Sequence, residues 1–235
     1  MVTKGHARRL VLLAIAFSAG VLASGCATNR GVLDVRPAIA PNPPDGVAVK
    51  LTEVVDRRVF ELRPRNPSTP SLKDGQIENR SLTSRAIARK RNSYGRALGD
   101  ILLPEGRTVE QVGREVVTRG LRDSGYRVLA EGEPGFPDAV PLRVDIEKFW
   151  SWFTPGFWVV HLEFDASIRV TGPLEPFTNG VEFRGYARRG AWASTGGIWL
   201  DTMQRGMTAL DQDMQGKLRE AAAARPVETG IQEGP

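Results

Sequence analysis

The chain has 235 residues, 32 Lys and Arg against 27 Asp and Glu, and 41% hydrophobic residues, enough apolar material for one ordinary globular core. Removing a leader that carries Lys4, Arg8 and Arg9 leaves 29 basic against 27 acidic residues, so net charge gives no argument for nucleic-acid binding. One cysteine, Cys26, excludes an internal disulfide, and a single histidine after it, His161, excludes zinc clusters and Cys-His catalysis.

Residues 1–25 read as a bacterial lipoprotein signal. Lys4, Arg8 and Arg9 form a positive start, Leu10 to Ala23 an apolar run, and Ala23, Ser24 and Gly25 the small residues before Cys26. A membrane-crossing anchor needs about 20 apolar residues, whereas this run has fourteen and includes Ser18 and Gly20. A plain secretory signal followed by a chance cysteine is the other reading. Cleavage makes Cys26 the new N-terminus and its sulfur the site of lipidation. Ala27 and Thr28, with no Asp beside the lipid, favour the periplasmic face of the outer membrane.

Residues 26–45, with Pro37, Pro41, Pro43 and Pro44, are expected to form an extended tether. A single domain should then occupy 46–218, starting with a strand at 46–55. The stretch of about 56–107 reads as a long basic insertion, too long for an ordinary loop, with a short helix near Leu82 to Lys90. Between Arg57 and Arg107, twelve Lys or Arg face five acids; Arg89, Lys90 and Arg91 are the candidate contacts to a phosphate or carboxylate polymer of the envelope, and a solvated basic loop is the plain reading.

From Thr108 the pattern sharpens. Thr108 and Gln111 form a capping-box pair, Val109, Val112, Val116 and Leu121 share one helical face, and Gly125 offers a left-handed stop. Tyr126 to Leu129 is a short strand. Leu142, Val144 and Ile146, then Trp150 and Trp152, alternate with Arg143, Asp145 and Glu147 in a half-buried strand, and Val160 to Val170 alternates again. A further strand runs from Val181 to Arg189. Matching apolar faces places Asp145 opposite Asp165 and Glu147 opposite Glu163 in the first hairpin. The second hairpin should set Arg169 by Glu182, Glu163 by Arg188 and Asp165 by Tyr186. The carboxylates Asp145, Glu147, Glu163 and Asp165 are the only grouping on which a metal-dependent hydrolase can be imagined, and cross-strand ion pairing accounts for them more simply.

Phe149, Trp150, Trp152, Phe153, Phe157 and Trp158 put six aromatics into ten residues around a hairpin turn. Strict alternation leaves Phe149 and Phe153 off the core face. Phe149, Trp152, Phe153, Phe157 and Trp158 are therefore candidate contacts to a partner or to the membrane interface, unless the basic segment folds over them. A last helix begins near Ile198 and carries Met203, Met207, Leu210, Met214 and Leu218 as a core stripe; residues 219–235 read as a disordered tail.

These elements fit an α+β two-layer sandwich: a mixed or mainly antiparallel sheet of about five strands with two helices on one face. The lipobox, the proline tether, the first strand ending in Val55-Asp56-Arg57, and the stretch from Val116 to Gly125-Tyr126 resemble the YajG-type family of bacterial outer-membrane lipoproteins over about 46–218. The resemblance implies a lipid-anchored α+β protein without catalytic residues. The expected role is accordingly non-enzymatic, without cofactor or metal: binding or scaffolding another envelope component. The alternative is an auxiliary lipoprotein subunit of a lipid or lipopolysaccharide transport system. Oligomeric state is not readable.

Overall fold

The computed structural model describes residues 29–224 apart from 93, 95, 155–159 and 192–194; the leader with Cys26, the aromatics Phe157 and Trp158, and the stretch beyond 224 lie outside. Among the described residues one sheet has eight strands: β1 (Gly31–Val32), β2 (Ala48–Asp56), β3 (Ala86–Arg91), β4 (Ala97–Leu102), β5 (Arg127–Val128), β6 (Val140–Thr154), β7 (Val160–Thr171) and β8 (Val181–Ala191). Three helices accompany them: the single turn α1 (Arg80–Thr83) and the long α2 (Val109–Asp123) and α3 (Gly196–Ala223). The α+β class stands, but the sheet has eight strands instead of about five. Four of its seven pairings are parallel, so it is mixed and not mainly antiparallel. The expected helix near Leu82 to Lys90 is mostly strand, because Ala86, Ile87 and Ala88 are buried between neighbours while the charges of Arg89, Lys90 and Arg91 hide the strand signal.

β6 is the spine. At 15 residues it spans about 50 Å. β7 runs antiparallel along one edge, from Arg143↔Thr171 to Thr154↔His161. On the other edge β2 takes the first half, from Val49↔Val140 to Asp56↔Ile146, and β3 takes the second at Ser151 and Trp152. The chain leaves this edge at Asp56, crosses the face away from the long helices as residues 57–85, and returns to the same edge.

The ladder between β6 and β7 shifts between Ile146 and Lys148. One extra residue in a strand exchanges its two faces. Before the bulge Leu142, Val144 and Ile146 point under the long helices; after it Phe149 and Phe153 do, and all five are within the main core. Trp150 and Trp152 thereby turn to the opposite face, where Leu72, Ala86, Leu102, Phe60, Ile77 and Leu82 close over them. The expected register is corrected for the same reason: Asp145 stands opposite Arg169, Trp150 opposite Asp165 and Trp152 opposite Glu163. The second hairpin has the expected pairs, Arg169↔Glu182, Glu163↔Arg188 and Asp165↔Tyr186.

Both long helices lie on one face. α2 opens on the Thr108–Gln111 capping box and buries Val109, Val112, Val116, Val117 and Leu121 against the sheet. α3 buries the whole methionine stripe, from Met203 to Leu218, and continues to Ala223, five residues past the expected end. It crosses β8 so closely that a Cβ on Gly185 would stand 2.2 Å from the Gly206 carbonyl oxygen. Its Asp213 carboxylate accepts the Arg184 backbone N–H at 2.8 Å and its Lys217 donates to the Glu182 carbonyl at 2.7 Å. Side chains of α3 thus satisfy backbone groups along the outer edge of β8, where an unpaired edge invites another strand.

The stretch 29–45 is packed, not a free tether. Val35 and Ala40 are buried. The Arg107 guanidinium donates to the Val35 carbonyl at 2.8 Å, and Arg122 donates to the Ala40 carbonyl at 3.1 Å. Asn42 exchanges two hydrogen bonds with the Val128 backbone. Prolines here set an extended course along the domain instead of a spacer away from it.

Between the departure of β2 and the arrival of β3, β6 lacks a neighbour on one edge. Arg58 fills that gap. Its guanidinium is fully buried, donates to the Phe149, Ala86 and Thr83 carbonyls at 3.1, 2.6 and 2.9 Å, and pairs with Asp56 at 2.7 Å. Truncating one partner of a buried, hydrogen-bonded ion pair costs about 3–5 kcal/mol. Arg58→Met is therefore expected to lose stability on that scale in urea unfolding, while Arg57→Met, whose side chain is 56% exposed, changes it by well under about 1 kcal/mol.

Candidate functional site

The covering segment and the hairpin of β3 and β4 enclose a cavity of about 1030 Å³. Strand alternation puts Arg89 and Arg91 on this side, while Lys90 points the other way and donates to the Asn29 carbonyl at 2.9 Å. Arg63 from the covering segment and Arg96 from the hairpin stand exposed at the rim; Ser71 and Leu72 are buried in the wall, with Leu62, Pro64 and Asp74 beside them. A smaller hollow of about 390 Å³ shares Asp74, Arg89, Arg96 and Ala97, and adds Lys73 and Asn92. Four guanidinium groups thus meet one carboxylate in the larger space.

Arg89 is the unusual member. Its side chain is 8% exposed, yet Nε and Nη1 make no hydrogen bond within the protein. The nearest carboxylate, Asp100, is 3.8 Å away and fully buried, and it is already engaged by Arg30 Nε and the Lys73 backbone N–H, each at 2.9 Å. Burial lowers the Arg89 pKa from its ordinary value more than Asp100 raises it, and burial lowers that of Arg91 also. A buried cation with unused donors is costly unless an anion meets it. The planar fork of arginine suits a phosphate or carboxylate, which accepts two hydrogen bonds side by side.

A second arginine-lined groove, of about 410 Å³, lies between residues 36–40 and α2. Each of its arginines has at least one partner, although the Arg122 Nε makes no hydrogen bond. Arg107 binds the Val35 carbonyl and Glu115, Arg114 the Leu51 carbonyl, and Arg122 the Ala40 and Val128 carbonyls.

The other sequence candidates fall elsewhere. Phe149, Trp152 and Phe153 are 0%, 7% and 5% exposed, so they are core and not a partner or membrane surface; the bulge and the covering segment put them there. Phe157 and Trp158 lie outside the described residues, as does Cys26. The four carboxylates do not converge. Asp145 pairs with Arg57 and Arg143, Glu147 with Arg169, and Asp165 with Lys148, while Glu163 accepts from Tyr186 and Thr154. Burial, then the bond to Glu163, pushes the Tyr186 hydroxyl up to about 12. Among the described residues no group of three His, Cys, Asp or Glu stands close enough to hold a metal ion. No described helix is long and apolar enough to cross a membrane. The residues that sequence reasoning missed are Arg63 and Arg96; period-two alternation through Ala88 to Arg91 was the available signal for the Arg89 and Arg91 pair.

No family model matches the chain, and no curated protein does. Two solved structures are similar in part. An uncharacterized protein is 10% identical with a TM-score of 0.42, over 82% of this chain and 98% of its own. Protein XCC0632 from Xanthomonas campestris, of the family model DUF330, is 10% identical with a TM-score of 0.40, over 80% of this chain and 91% of its own.

The polar face yields a pH dependence. Arg184 first, then the Ser167 hydroxyl, hold Glu182 down at about 2. Its charged form therefore stabilises the fold above the ordinary glutamate range, and that contribution is lost as pH falls towards 2. With allowance for solvent screening, Glu182→Gln is expected to cost about 1 kcal/mol at neutral pH. Thermal unfolding from pH 7 down to 2 should show the two proteins converging.

Proposed function

We propose that this chain is a non-enzymatic, lipid-anchored envelope protein that holds an anionic group of another envelope component in the cavity of Arg63, Arg89, Arg91 and Arg96. The observation that carries this reading is Arg89, buried with two guanidinium nitrogens unbonded while four arginines surround a space large enough for a ligand. The leader that ends at Cys26 supports a lipid anchor at the periplasmic face of the outer membrane, and the resemblance to YajG-type lipoproteins over about 46–218 agrees with it. The dispersal of Asp145, Glu147, Glu163 and Asp165 among separate cationic or hydroxyl partners favours binding over hydrolysis.

Arginines at the floor and rim divide the work. Arg89 offers donors in a low-dielectric wall, where a charge-assisted hydrogen bond is strongest, and Arg91 adds its charge beside it. Arg63 and Arg96 attract an anion over longer range, in a manner that salt screens. Leu62, Pro64 and Leu72 give the same cavity an apolar flank, so an anion carried on a larger organic body fits better than a bare ion.

Pyrophosphate is the simplest probe. It is expected to raise the melting temperature of the wild type, less so as salt increases. Arg89→Met should abolish that rise, and because the buried charge is unfavourable by itself, the variant without ligand should melt no lower than the wild type. Equal stabilisation of both proteins by pyrophosphate sinks the assignment.

A further inference from the structure

The cavity lies beside the hairpin on which the described chain begins, three residues after Cys26. β1 pairs parallel with β4 at Gly31↔Ile101 and Val32↔Leu102, so the chain enters the fold from the end of β4 that begins at Ala97. Arg30 is already bonded to the buried Asp100, and the Asn29 carbonyl to Lys90. Only three residue steps separate Cys26 from Asn29, a reach of about 11 Å at most. With residues 29–45 packed on the domain, no longer leash remains. A lipid on Cys26 therefore holds the Ala97 end of the sheet against the bilayer surface.

That end is built for such contact. The turn between β3 and β4 carries Tyr94, which is 93% exposed, and Arg96; across the cavity mouth stand Arg63 and Leu62, the latter 61% exposed. Tyrosine favours the headgroup layer, and arginine pairs with phosphate there.

We infer that the lipid-anchored domain lies on the bilayer by its β3–β4 turn, and that the arginine cavity takes the phosphate of an anionic lipid headgroup. The inference rests on the lipid anchor and the anion site proposed above, and adds the orientation and the ligand class. A headgroup phosphate brings its apolar glycerol and acyl portion past Leu62 and Pro64, which a free phosphate does not need. A zwitterionic headgroup carries a cation into a space already crowded with arginine, so the site should prefer a headgroup of net negative charge.

The test uses the acylated protein in vesicles of phosphatidylcholine with phosphatidylglycerol. The Cys26 sulfur is blocked, so a nitroxide label goes only to an introduced thiol. Ala97→Cys puts it at the cavity rim, and Glu131→Cys puts it beside the start of β6, at the far end of the spine. The label at 97 should show the oxygen accessibility of the headgroup layer, and the label at 131 that of water. Both labels in water, or the reverse order, overturns the orientation. Calorimetry in detergent then compares short-chain phosphatidylglycerol, short-chain phosphatidylcholine and inorganic phosphate. Phosphatidylglycerol should bind most tightly, and Arg89→Met should weaken it about tenfold or more. Equal binding of inorganic phosphate overturns the headgroup assignment but leaves the anion site standing. An alkylatable Cys26 in protein that stays in the aqueous phase of a detergent partition removes the anchor itself, which is a separate failure.

Discussion

The guanidinium of Arg58 is the interaction on which this architecture depends. A sheet edge shared by two strands in succession has a break between them, and a break inside a protein leaves backbone carbonyls without donors. Arg58 supplies donors to carbonyls on three separate segments and takes its counter-charge from Asp56, two residues earlier. The chain therefore satisfies the break at the point where it leaves the edge. The covering segment begins directly after that clamp, with Phe60 stacked edge-on against Trp150 at 5.9 Å. Burying a cation so deeply is expensive. It is tolerable here because Asp56 supplies the counter-charge and three carbonyls take the remaining donors.

What could be read from the sequence was local or periodic. α2 carried its own capping box, face and glycine stop, and the register of β7 with β8 followed from matching two clean alternations. The failures share a cause. A β-bulge has no reliable sequence mark, since one extra residue among Glu147, Lys148 and their neighbours looks like a continued strand. Missing it inverted the fate of Phe149, Trp150, Trp152 and Phe153 together. β1 is two residues long, and β3 is held by burial on both faces of Ala86 to Ala88, so neither shows a periodicity of its own. The parallel pairings connect residues far apart in the chain, and local propensity carries no information about them.

The site was legible only as a charge excess. Twelve basic residues between Arg57 and Arg107 look alike in sequence, yet the fold sorts them into different tasks. Arg58 and Arg85 bind backbone carbonyls, Arg57 pairs with Asp145, and Lys90 holds Asn29. Arg107 ties the N-terminal stretch to α2 through the Val35 carbonyl and Glu115. Satisfied partners make these arginines structural, and the same criterion separates Arg89 from them. Charge by itself pointed to Arg89, Lys90 and Arg91 as a block. Alternation along β3 removes Lys90, and tertiary contact adds Arg63 and Arg96 from segments on either side.

A ligand held in the cavity under the covering segment would couple its binding to the order of that segment. Residues 57–85 rest on a small cluster of Leu72, Ala86, Leu102, Trp150 and Trp152, much less apolar contact than the long helices enjoy on the other face. A ligand that binds only while this segment is packed would add its binding free energy to the stability of that packing. Arg63 and Ser71 come from the cover, while Arg89, Arg91 and Arg96 come from the hairpin beneath it, so an anion held between them would add a polar bridge to the apolar contact of Leu72 with Ala86 and Leu102 and to the bond from the Lys73 backbone to Asp100. Arg89 is the group such an anion would relieve: its nearest counter-charge, Asp100 at 3.8 Å, is shared with Arg30 and the Lys73 backbone, and two of its nitrogens make no hydrogen bond.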